Sequence, residues 1–190
     1  MAWLSARQIE EMGFADVAAG VLLSERASFY NCGKIRLGAR SRIDDFCVIA
    51  AGEGGITIGE NVHIAVACTL IGQGSISLED FSGLSSRVAI YSSSDDYSGA
   101  SLTNPTLPAE FRNVESGPVR LARHVIVGAG SVILPGVTLE EGVAVGALSC
   151  IRLSCAAFGV YWGNPARRIG ERSRQLIEVE KSYRAQLERT

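Results

Sequence analysis

Leu121 to Ala156 reads LARHVI, VGAGSV, ILPGVT, LEEGVA, VGALSC and IRLSCA, six hexads with no residue left over. Each opens on an aliphatic side chain. Their fifth places hold Val125, Ser131, Val137, Val143, Ser149 and Cys155, which are small or β-branched. A period of six fits neither the 3.6-residue repeat of an amphipathic helix nor simple strand alternation. It fits a solenoid in which each hexad makes one flat face and three faces close a coil of about 18 residues. The opening aliphatic residue then points into a prism and stacks on its equivalent one coil away. Gly, Ala, Asn or Asp near the corners take backbone conformations that β-branched residues avoid.

Working outward, the pattern recurs in LEDFSG, LSSRVA and IYSSSD (78–95), IGENVH and IAVACT (58–69), LGARSR and IDDFCV (37–48), and more weakly in LSERAS from Leu23. It breaks after Asp95 for about 25 residues, DYSGASLTNPTLPAEFRNVESGPVR. Loops that long are uncommon in compact domains and tend to be functional, and Pro105, Pro108 and Pro118 favour an extended arm. Parallel coils leave two prism ends to cover. Ser5 followed by ARQIEEM and Gly13 predicts a short capping helix within residues 1–22. Leu176, Val179, Tyr183 and Leu187 at helical spacing predict a C-terminal helix within 170–190. The solenoid occupies 23–169, with the arm at 96–120.

Composition narrows the function classes. The chain has 190 residues, room for one domain with a sizeable core, and 21 glycines against 7% aromatics, which suits many short strands and tight corners. A formal net charge of -2 gives no electrostatic grip on nucleic acid or anionic lipid. No basic segment followed by an apolar run opens the chain, and no apolar stretch reaches the roughly 18 residues of a membrane span, so a cytoplasmic protein is expected. Cys32, Cys47, Cys68, Cys150 and Cys155 are odd in number and lack CxxC spacing, as expected of reduced core residues. Two histidines far apart in sequence are a poor supply for a metal site, and none is expected.

The run VIVGAGSVILPGV, then EEGVAVGALS, then YWGNPARRI with its G-x-P-A-[KR]-x-I ending, resembles the hexapeptide-repeat acyltransferases, especially sugar and polysaccharide O-acetyltransferases of the galactoside and maltose type. The likeness spans Leu23 to Ile169. It implies a left-handed parallel β-helix, all-β apart from its end helices, that works as a homotrimer with sites between neighbouring prisms. It further implies an acetyl-CoA donor and a sugar-like acceptor. The donor's arm would lie along the coils from Val127 to Cys155, with the Ala129 N–H facing the thioester carbonyl and Ala147 against the pantetheine. A backbone donor fixed on a rigid coil stabilises a developing oxyanion without reorganising. Arg152, Arg167 and Arg168 are candidate phosphate partners, and Trp162 and Asn164 of the ending complete the cofactor candidates.

The base departs from the family. Relatives place a catalytic histidine just after the coil before the arm, where this chain has Asp95 in IYSSSDDYSG. Three readings stay open. Asp95, with Asp96, serves as general base if burial raises its pKa. His63 takes the role, facing Asp95 across a subunit groove as its carboxylate partner. Or the acceptor is an amine on a nucleotide-linked amino sugar, which needs less help than a hydroxyl. His124 stands at an outward position and is a weaker candidate. A non-catalytic scaffold is the rival of another class, since a fold does not dictate a function.

Overall fold

The hexads fold as short parallel strands on three flat faces. In the computed structural model, residues 2–187 are described; Met1 and 188–190, the end of the expected C-terminal helix region, lie outside the described residues. The first face stacks Asp16–Val17, Ile35–Leu37, Ile56–Ile58, Ile76–Leu78, Val119–Leu121 and Thr138–Leu139. The second runs from Leu22–Leu23 through Arg42–Ile43, His63–Ile64, Gly83–Leu84, Ile126–Val127 and Ala144–Val145 to Gly159–Gly163, where Ala166–Glu171 folds back antiparallel. The third carries Ser28–Tyr30, Val48–Ala51, Thr69–Gly72, Ala89–Tyr91, Val132–Ile133 and Cys150–Ile151. This is the left-handed parallel β-helix implied by the repeat and the resemblance.

Every opening residue from Leu121 to Ile151 is buried, as are Val125, Ser131, Val137, Val143, Ser149 and Cys155 at the fifth places. They form one continuous column of aliphatic side chains and small fillers along the prism axis. Cys47 and Cys68 belong to it, and all five cysteines are free thiols. The 18-residue coil holds only toward the C-terminus, where Leu121 pairs with Leu139 and Ile133 with Ile151. Nearer the N-terminus Ile43 pairs with Ile64, 21 residues on, and Ile64 with Leu84, 20 on. The extra residues sit at the corner between the third and first faces, in the segments 52–55 and 73–75. There a Cβ on Gly52 would stand 2.3 Å from the Gly72 carbonyl oxygen, so only glycine lets these wider corners stack.

The corner between the first and second faces holds Arg40, Asn61, Phe81 and His124 in the left-handed region, with φ between 54° and 62°. None is β-branched, and backbone bonds from one corner to the next, such as His124 N–H to the Asp80 carbonyl at 3.1 Å, hold the strained geometry. Helix α1 (Ala6–Glu11) starts on a capping box, the Ser5 hydroxyl accepting from the Gln8 N–H and the Gln8 side chain from the Ser5 N–H. Leu4, Ile9 and Phe14 pack on the first coils.

Helix α2 (Gln175–Leu187) lies along the first corner, and its contacts are mostly polar. Among the expected apolar stripe, Val179 and Leu187 are exposed, while Tyr183 meets the Phe81 ring edge-on. The buried residue is Glu180. It accepts from His124 Nε2 at 2.6 Å and pairs with Arg123 and Arg184. His124 does point outward, but α2 covers it and leaves it 8% exposed.

Candidate active site

On the second face, strand alternation leaves two columns of side chains pointing outward. One column is Arg42, His63, Gly83, Ile126, Ala144 and Val160, aligned by the strand register. The other, two residues further along each strand, is Asp44, Ala65, Ser85, Gly128, Gly146 and Trp162. Its rows are locked by bonds such as Ser85 N–H to the Val127 carbonyl and Gly146 N–H to the Tyr161 carbonyl. Four successive small residues make a track nearly free of side chains. Rows about 4.8 Å apart put about 14 Å between Ser85 and Trp162. The track ends on the Trp162 ring, which lies on Gly146 so closely that a Cβ there would sit 2.6 Å from a ring carbon.

Ala129 and Ala147 stand at the corner beside this track, exposed, and neither N–H is bonded to another described residue. Both are free to donate to a ligand. Past the last coil, Arg152, Arg167 and Arg168 line one cavity of about 350 Å³ with Tyr161 and Pro165, so the structure brings the three arginines together. Arg168 is also paired with Glu171 at 2.9 Å. Asn164 is exposed at the tip of the adjoining hairpin, before a cis proline.

The catalytic candidates are spread out. His63 donates from Nε2 to Asp44 at 2.9 Å, and about half of its side chain meets solvent. Asp44 is 6% exposed and also accepts from Arg42 Nε at 2.7 Å. Burial works to raise the Asp44 pKa, but the hydrogen bonds and charges of Arg42 and His63 outweigh it, and the carboxyl is held below its ordinary value. Arg42 in turn lies over the Trp3 ring, 5.1 Å from its centroid.

Within one chain Asp95 is remote from this cluster. It sits on Ser93–Asp95, which pairs antiparallel with Val114–Ser116 at the root of the arm. There it lines a groove of about 450 Å³ with Tyr91, Tyr97, Val132, Leu134 and Pro135. Asp96 is tied into its own loop, accepting from the Ser98 N–H at 2.7 Å and the Ser101 hydroxyl at 2.8 Å. Those bonds, Ser98's foremost, lower its pKa to about 2, which makes it a weak base. Sequence reasoning missed Asp44, Gly83 and Ser85. The alternation of IDDFCV and LSSRVA would have turned Asp44 and Ser85 outward, but nothing in a single hexad marks which outward positions share a site.

No family model matches the chain. The dTDP-4-amino-4,6-dideoxy-D-glucose acyltransferase of Escherichia coli is 49% identical over 184 residues, covering 97% of this chain and 96% of that protein. A chain of Escherichia coli K12, WbbJ, named provisionally as a lipopolysaccharide biosynthesis O-acetyl transferase, is 27% identical over 90% of this chain and 94% of its own. Among solved structures, AntD, an N-acyltransferase from Bacillus cereus in complex with dTDP and 3-hydroxybutyryl-CoA, superposes with a TM-score of 0.94 at 41% identity, covering 98% of each chain. A serine-to-alanine variant of AntD was solved with dTDP-4-amino-4,6-dideoxyglucose and coenzyme A, and others replace an aspartate ten positions later by asparagine or alanine. Repeat, coil geometry and near full-length identity agree, and the chain belongs to the hexapeptide-repeat acyltransferases.

Proposed function

We propose that this protein transfers an acyl group from coenzyme A to the amine of a dTDP-linked 4-amino-4,6-dideoxy sugar. The single structural observation that carries the reading is the track from Ser85 to Trp162. It has the length and bareness to take an extended pantetheine, has free N–H groups beside it, and lies near an arginine-lined cavity. The near full-length relatives that act on, or were solved with, dTDP-amino sugars support the amine acceptor over the hydroxyl acceptor expected from the resemblance.

In this reading the neutral sugar amine attacks the thioester carbonyl. The Ala129 N–H receives the developing oxyanion, a carboxylate takes the ammonium proton, and the coenzyme A thiolate leaves. Asp95 is the proton acceptor. It and Ser85 are ten residues apart, the spacing of the aspartate and serine replaced in AntD. Ser86 and Asp96 share that spacing, but the bonds to Ser98 and Ser101 have already occupied Asp96. His63, held by Asp44, lines the same cavity as Ser85 from the second face.

Ser85 lies on one side of the third-face strand Ala89–Tyr91 and Asp95 on the other. A site that uses both therefore takes one from each of two neighbouring copies. The arm, with Tyr97, Leu102 and Phe111 exposed, supplies an apolar surface for that contact, and a trimer closes the ring. The test is thiol release from acetyl-CoA and from 3-hydroxybutyryl-CoA, with dTDP-4-amino-4,6-dideoxyglucose and its 4-hydroxy counterpart compared as acceptors. Release with the amine alone is expected. Release with the hydroxyl sugar alone would restore O-acetylation, and release with neither would remove this acceptor class.

A further inference from the structure

Gly83 occupies a central strand row where the fold has no need of glycine. Its backbone is ordinary extended strand, outside the left-handed region that accounts for Gly130, Gly136 and Gly142. Nor does a neighbouring backbone press on it. A Cβ built there would meet Ile126 Cδ1 at 3.5 Å and the His63 carbonyl oxygen at 3.8 Å, which is ordinary contact, whereas one on Gly128 would meet the Ala147 nitrogen at 2.5 Å. Glycine weakens a strand interior, and where backbone geometry does not demand it, the usual reason is close approach of a ligand or another chain.

The missing side chain leaves a notch. His63 stands on one side in the row before, Ile126 on the other in the row after, and Ser85 lies two residues further along the chain, just past the strand Gly83–Leu84. These residues share one cavity of about 540 Å³. A track that begins on Trp162 reaches Ser85 after three rows, so a thioester laid along it arrives beside the notch. The walls are unlike: Ile126 offers a methyl group, while His63 offers an imidazole fixed by Asp44. A short acyl chain with a polar substituent, one carbon or more beyond acetyl, matches both.

We propose that Gly83 sets which acyl group the enzyme accepts, by holding open a notch between His63 and Ile126 that receives the acyl chain beyond its carbonyl carbon. The proposal rests on the acyl-CoA reading above and specifies its donor. No bond changes in the notch itself; it selects the thioester on which the amine then acts.

The test compares the native protein with Gly83→Ala and Gly83→Val, measuring kcat/KM for acetyl-CoA and 3-hydroxybutyryl-CoA at saturating acceptor, and the acceptor KM separately. A filled notch should lower the ratio of 3-hydroxybutyryl to acetyl transfer by about tenfold or more in Gly83→Val, with a smaller step in Gly83→Ala, the scale of one or two crowded carbons in a pocket. Sedimentation and thermal unfolding accompany the kinetics, and Gly83→Ala should fold at least as stably as the native chain. An unchanged ratio in an active enzyme overturns the notch assignment alone. So does a rise in acceptor KM at constant ratio, which would give the notch to the sugar, or a change of oligomeric state, which would give it to a neighbouring subunit. A native protein that turns over neither thioester overturns the activity reading and this proposal together.

Discussion

Asp44 is the most consequential single residue that a hexad pattern does not reveal. Its carboxylate ties Arg42 to His63 across two coils and thereby fixes the imidazole that faces the track. Because its folded pKa lies below the unfolded value of about 3.9, it contributes stability at pH values above about 4. That contribution fades as pH falls through the folded value. Asp44→Asn should therefore lower the melting temperature at neutral pH and flatten the loss of stability as pH falls below about 4, when thermal unfolding is followed into acid. A variant with the native acid profile would mean that Asp44 does not supply that dependence. The same residue scale explains why Asp96 and Asp95, adjacent in sequence, differ. One hydroxyl and one backbone N–H anchor Asp96, whereas Asp95 opens onto a groove.

At the scale of the element, α2 is attached by charge more than by an apolar stripe. Glu180 meets His124, Arg123 and Arg184, and Arg184 continues to Glu60 at 2.9 Å while lying over the Phe81 ring. Burial works against the ionised Glu180, but its bonds from Arg184 and His124 and the charge of Arg123 prevail and lower its pKa. Removing one member of such a buried set leaves the others uncompensated, at a cost of about 3–5 kcal/mol when it is fully buried and less here, where the arginines reach water. Glu180→Ala should release α2 first: hydrogen exchange across 175–187 should accelerate by at least about tenfold while the coil strands keep their protection. Uniform acceleration over the whole chain would instead make α2 part of one cooperative unit with the prism.

For the whole molecule, the separation of Ser85 from Asp95 gives the most direct prediction. If each site draws Ser85 from one copy and Asp95 from its neighbour, Ser85→Ala and Asp95→Asn should each lower turnover by about a hundredfold or more. Unfolding the two together and refolding them as mixed oligomers should return roughly a quarter of native activity, because one neighbouring pair in four then joins two intact residues. No recovery in oligomers shown to be mixed would place both residues within one subunit's site. The described part of the chain holds no helix long and apolar enough to cross a membrane and no cluster of metal-ligating side chains.

The sequence by itself determined the solenoid, because the stacking column tolerates only aliphatic residues at the opening places and small ones at the fifth. That constraint repeats every six residues, and Leu121, Val127 and Ile133 report it without help. It also located the break at the arm and the G-x-P-A ending. What the outward positions do was left to the tertiary structure, since a stacked coil imposes almost nothing on a side chain that points to solvent. His63 gains its partner from a coil 19 residues earlier, Glu180 its histidine from 56 residues before, and Gly83 its meaning from Ile126 beyond the arm. Coils of 20 and 21 residues near the N-terminus, and 18 near the C-terminus, set those registers, and only the folded prism brings the chosen side chains into line.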